Sequence, residues 1–150
     1  MYSPKSNKDS FLEAGNFLVK ISRIRNPDNK IRNLITLTVQ LIRQSIKTQT
    51  VTNRQLLNVI ESIEITIHTH EKFICQVEDT ELTILNCITE ILQSNKVDFP
   101  DTSYYFWAYF FVKRLNHRCL EIIELSLNCL DSMVDENNVN QKSAINQMKT

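Results

Sequence analysis

The 150-residue chain contains one glycine, Gly15. Phosphate-cradling loops need glycine where the backbone turns sharply or approaches a ligand closely. Neither a Walker A loop nor a dinucleotide fingerprint can therefore be written, which excludes P-loop and Rossmann enzymes. Two-residue hairpins of the Asn-Gly kind are missing as well, which disfavours an all-β fold. The four cysteines, Cys75, Cys87, Cys119 and Cys129, form no C-x-x-C pair and have no histidine at zinc-finger spacing. They read as small buried hydrophobes of a reducing compartment. No apolar run reaches the length of a membrane span, and the polar start leads into no signal-peptide core. The expected location is intracellular, cytoplasmic or nuclear.

Metal and acid–base patterns are also missing. No glutamate has a histidine three residues later, as di-iron bundles require. H-E-x-x-H and the deaminase pattern H-x-E…P-C-x-x-C do not occur. Glu64 and His68 are four apart, as are His117 and Glu121, which permits helical side-chain pairing only. No catalytic residue, metal ligand or cofactor is assigned, and the chain reads as a non-enzyme.

What is present is helical. Hydrophobic residues make up 42% of the chain, too many for wholesale disorder, and they recur near the α-helical period. The expected fold is all-α: one domain over residues 10–134, a bundle of about five helices with a long last helix. Residues 1–9 and 135–150 are expected to be flexible and polar. Ser10-x-x-Glu13 and Thr52-x-x-Gln55 read as capping boxes. Asn26-Pro27 ends the first helix, with Asn26 as N-cap of a second helix over about 27–48. That helix has apolar residues on more than one face and is expected to be buried from two sides. Helices over about 53–75 and 80–94 follow, the latter capped by Asp79. The Ile-Glu-Ile-Thr-Ile stretch at 63–67 alternates like a strand, but its helical flanks outweigh it. From Asp101 to about Met133 no breaker occurs, which predicts one helix of about 50 Å.

Two asymmetries stand out. Seven of the twelve aromatic residues lie between Tyr104 and Phe111. Eight consecutive positions encircle a helix, so a single flat contact cannot bury them all. Part of the cluster is therefore a candidate docking surface: Tyr104, Tyr105, Trp107, Tyr109 and Phe111, continued by Leu115 and Ile122. The second asymmetry is charge. Lys and Arg balance Asp and Glu at 17 each, yet residues 1–56 carry net +7 and residues 57–150 carry net −7. Basic density peaks at Lys20, Arg23, Arg25, Lys30 and Arg32, a corner suited to an acidic partner or a phosphate.

These features predict a protein–protein interaction module, an adaptor or complex subunit, docking a protein partner or a second copy of itself. The alternative is a nucleic-acid- or phosphate-binding helical domain using the basic corner. Size and helical content are similar to those of viral Bcl-2-like modulators and SNARE regulatory three-helix domains. The chain has no Asn-Trp-Gly-Arg-type segment and no motif specific to the second group, so no family is assigned.

Overall fold

The computed structural model describes residues 10–94 and 98–134. The expected flexible segments 1–9 and 135–150 lie outside that range. The described residues form six helices: α1 (Ser10–Ser22), α2 (Asn29–Thr48), α3 (Asn53–Ile74), α4 (Glu78–Gln93), α5 (Asp101–Arg114) and α6 (Leu120–Met133). The all-α bundle is as predicted. Residues 63–67 are helical, as the flanks required.

Side-chain caps fix the starts of α2 and α3. The Thr52 hydroxyl accepts from Gln55 N–H at 3.2 Å, and Gln55 Oε1 accepts from Thr52 N–H at 2.9 Å. This completes the predicted capping box. At α2 the cap is Asp28, two residues beyond the expected Asn26; its carboxylate accepts from Ile31 N–H at 3.1 Å. A charged acceptor satisfies an orphan N–H more strongly than an amide does. α4 begins one residue before the expected cap, Asp79. It has no side-chain cap, but Glu78, Asp79 and Glu81 in its first turn suit the positive end of its dipole.

α4 is the central helix. It packs against α2, α3 and α6, and ten of its sixteen residues are buried. Burial on all but one stripe is compatible with its threonines because their hydroxyls bond back along the helix. Thr83 donates to Asp79 O and Thr89 to Leu85 O, both at 2.7 Å. The two-sided burial expected of α2 is not observed. Ile35, Val39 and Ile42 face the core, whereas Leu34, Leu37 and Leu41 are exposed.

The predicted long last helix is two helices. Residues 115–119 break it with neither glycine nor proline. α6 then packs against both α4 and α5, burying Ile122, Ser126, Cys129 and Met133 on one face. A continuous helix would carry that face past its cover. Burying large apolar side chains gains about 1.5–3 kcal/mol each. A helix break forfeits a few hydrogen bonds worth about 1 kcal/mol each, and some are replaced here. His117 N–H reaches Arg114 O at 3.1 Å, and Cys119 N–H donates to His117 Nδ1 at 2.9 Å.

The single glycine serves packing. α1 makes its main contact with α3, and a Cβ on Gly15 would lie 2.6 Å from Ser62 Oγ and 3.3 Å from Ser62 Cβ. That hydroxyl is already committed to Asn58 O at 2.9 Å. Gly15→Ala gains about 0.5–1 kcal/mol of helix propensity but overpacks the crossing at about 1–3 kcal/mol. A net loss near 1 kcal/mol is expected in urea denaturation. Gly15→Ala with Ser62→Ala is expected to recover most of it, and an undiminished loss in the double variant would contradict this account.

Candidate interaction surfaces

The aromatic segment divides by helical face. Tyr104, Trp107, Phe110 and Phe111 are buried, whereas Tyr105 and Tyr109 are exposed. Trp107 is the hub. Its ring meets Phe106 edge-on at 5.2 Å, Phe110 edge-on at 5.3 Å and Phe111 in a stack at 5.7 Å. Each such pair adds about 0.5–1.5 kcal/mol beyond area burial. Burial also pushes the Tyr104 hydroxyl up to about 12. Of the seven residues expected to dock a partner, Tyr104, Trp107, Phe111 and Ile122 are core. Tyr105, Tyr109 and Leu115 remain at the surface. Val112, which the sequence reading did not select, is 52% exposed and completes a Tyr105–Tyr109–Val112 stripe at i, i+4 and i+7. That spacing was available in the sequence; which face pointed outward was not.

Beneath this stripe lies a buried polar centre. Arg114 Nε is 2.8 Å from Glu81 Oε2, with side-chain exposures of only 6% and 2%. Beyond this ion pair, the guanidinium donates to Phe110 O at 2.9 Å, Glu71 Oε2 at 3.2 Å and Cys75 Sγ at 2.9 Å. It lies 3.5 Å from the centre of the Phe110 ring. His117 Nε2 faces Glu81 Oε1 at 3.3 Å. Because His117 Nδ1 accepts from Cys119 N–H, the ring hydrogen sits on Nε2, toward the carboxylate. One arginine thus joins α3, α4 and α5, and the histidine ties in the turn to α6.

The basic corner is only partly free. Lys20, Arg23, Arg25 and Lys30 are exposed, but Arg32 is 7% exposed and committed internally. Arg32 donates to Phe73 O from Nε at 3.2 Å and from Nη2 at 2.9 Å, and to Gln76 Oε1 at 2.9 Å. It caps the α3 C-terminus, where carbonyls lack helical partners, and its guanidinium lies 4.0 Å from the Phe73 ring centre. The corner itself is held by His70, a non-helical residue within α3. Its Nε2 lies 2.9 Å from Ser22 O at the end of α1.

Beside the corner on α3 is a cleft of about 510 Å³, lined by Glu61, Glu64, Ile65, Ser103 and Phe106 among others. Burial raises the Glu64 carboxyl; the hydrogen bond from Ser103 opposes this at 3.0 Å, and nearby Glu61 adds to it. Glu71 is the reverse. Burial alone would raise it, but Lys113 at 2.7 Å and Arg114 outweigh burial and hold it below its ordinary value of 4.5.

Three of the thiols are held protonated by burial. Burial pushes Cys75 up to about 11, despite the opposing Arg114 charge, Cys87 to about 12 and Cys129 to about 11. All four cysteines are free. Among the described residues no cluster of His, Cys, Asp or Glu could hold a metal ion, and no helix is long and apolar enough to cross a membrane. Compared with protein-family models, curated proteins and solved structures, the chain matches none.

Two outcomes are expected of the polar centre. Arg114→Met strands the buried Glu81 carboxylate and is expected to cost about 3–5 kcal/mol, whereas Arg114→Met with Glu81→Leu recovers most of that loss. Urea midpoints of the two variants decide it; equal losses would mean that the pairing is not what counts. The second outcome concerns pH. A lowered acid stabilises the fold above its unfolded value and loses that contribution as pH falls through the folded one. Wild type is therefore expected to lose stability below about pH 4.5 through Glu71, and Glu71→Gln to flatten that decline. A raised acid works in the opposite sense, so Glu64→Gln is expected to be more stable than wild type at pH 7, with the gap closing on acidification.

Proposed function

We propose that this chain is a non-enzymatic, intracellular protein–protein interaction module, an adaptor or complex subunit, that docks a protein partner through the outer face of α5. One observation carries the reading. Tyr105, Tyr109 and Val112 form an apolar stripe on a helix whose opposite face is locked into the core, and Tyr109 is 66% exposed. Rigidly backed tyrosines make favourable anchors because little side-chain entropy is lost on binding. Lys113 Nζ lies 4.8 Å from the centre of the Tyr109 ring and restrains it. Leu115 and Leu120 continue the apolar surface into the turn before α6.

The internal commitments of the polar side chains support the same reading. Glu81, Arg114 and His117 are engaged with one another, and the buried thiols hold their protons. The phosphate-binding alternative retains four exposed cations, since Arg32 faces inward. Phosphate contacts would weaken steeply with salt, whereas contact through the tyrosine stripe would not.

A photo-crosslinking residue at position 109, expressed in the native host, tests the proposal against the same residue at exposed position 54. The expected result is a discrete protein adduct at 109 that is lost on Tyr105→Ala with Val112→Ser. Equal labelling at the two positions would overturn it.

A further inference from the structure

We propose that two copies of this chain associate about a two-fold axis, the Arg23–Ile24–Arg25 corner of each seating in the Glu61/Glu64 cleft of the other. The surface concerned is the outer face of α3 and does not include Tyr105, Tyr109 or Val112, so it stands independently of the α5 reading.

The inference rests on charges that face the solvent without internal partners. Arg23 and Arg25 are exposed and pair with no acid among the described residues, as do Lys20 and Lys30 beside them. Glu61 and Glu64 line an open cleft with no cation against either; Glu64 holds only the Ser103 hydroxyl. Among the described residues the corner thus gathers four cations without an acid partner, and the cleft two carboxylates without a cation.

Position decides what such clusters can do. The cleft holding Glu61 and Glu64 is bordered by Ile65 and Thr69; so is the neighbouring hollow of about 640 Å³ that holds Arg23, Ile24 and Arg25. The basic and acidic clusters therefore lie side by side on one face. Among the described residues no ion pair joins the two clusters. A patch with opposite charges at its two ends is complementary to itself after a half-turn. Because both clusters are on one face, the arrangement closes at two copies and does not propagate as a filament.

The apolar pattern fits the same docking. Ile24 is 39% exposed between its two arginines, and Ile65 is 38% exposed at the centre of the face. Seated in the cleft, Ile24 would meet Ile65, while an arginine could lie on the half-buried Phe106 ring, a favourable cation–π partner. His70 anchors the corner to α3 through Ser22 O, so the corner is presented in a fixed place. The contact is carried mainly by charge, which salt screens, so the dimer is favoured by low salt.

Sedimentation velocity across a concentration series tests this with the full chain. Wild type is expected to shift from monomer toward dimer by about 100 µM at low salt, and the shift to shrink as salt is raised. Arg23→Glu with Arg25→Glu leaves both clusters acidic, and Glu61→Lys cancels the charge of the cleft against Glu64. Each variant alone is expected to remain monomeric with an unchanged helical circular dichroism spectrum, since only exposed residues change. Mixed in equal amounts, the two are expected to associate more than either does alone, because the arginine corner of the second then meets the intact Glu61/Glu64 cleft of the first. A wild-type monomer throughout, charge-reversed variants that still self-associate, or a mixture that stays monomeric would each overturn the proposal.

Discussion

Glu81 and Arg114 are a charged pair almost out of reach of water, and four of the six helices are positioned around them. Removing two ions from water costs several kcal/mol each before any attraction is counted. The arrangement is tolerable because the guanidinium is used on several sides: by Glu81, by Glu71 and Cys75 from α3, and by the Phe110 carbonyl and ring from α5. His117 Nε2 lies 3.3 Å from the other Glu81 oxygen. Such a centre specifies one packing, since sliding any of these helices by a turn strands a buried charge.

The same centre explains where the interaction surfaces lie. With Arg114 pinned inward, α5 cannot rotate, and its tyrosine stripe faces away from the core. The turn after α5 is held by His117, which lets α6 fold back over α4 instead of running on into solvent. At the same C-terminal end of α3, Arg32 closes the helix terminus and His70 holds the end of α1. Two polar anchors therefore fix the two faces, one apolar and one bipolar in charge.

Much of the fold was legible from short-range chemistry. The capping box at Thr52 and Gln55 involves partners three residues apart, and a helix boundary set by such contacts can be read in one dimension. The break at 115–119 could not, because it contains no glycine or proline. It exists because α6 gains more by returning to the core than the helix loses by stopping. The candidate surfaces were legible to the same degree. The aromatic cluster marked α5 as unusual, yet periodicity alone could not say that Trp107 and Phe111 face inward and Tyr109 outward. Arg32 looked like its basic neighbours because its acceptors, Phe73 and Gln76, are more than forty residues away.

By itself, then, the sequence determined helical class, most boundaries, the exclusion of glycine-dependent nucleotide loops and the segregation of charge along the chain. These follow from composition and from interactions within a turn or two of helix. Only the tertiary structure decided which side of each helix is surface, which cations are spent on internal contacts, and that the basic corner and the acidic cleft share one face. Those properties depend on partners distant in sequence, and burial, unlike helix propensity, belongs to the assembled bundle rather than to any segment of it.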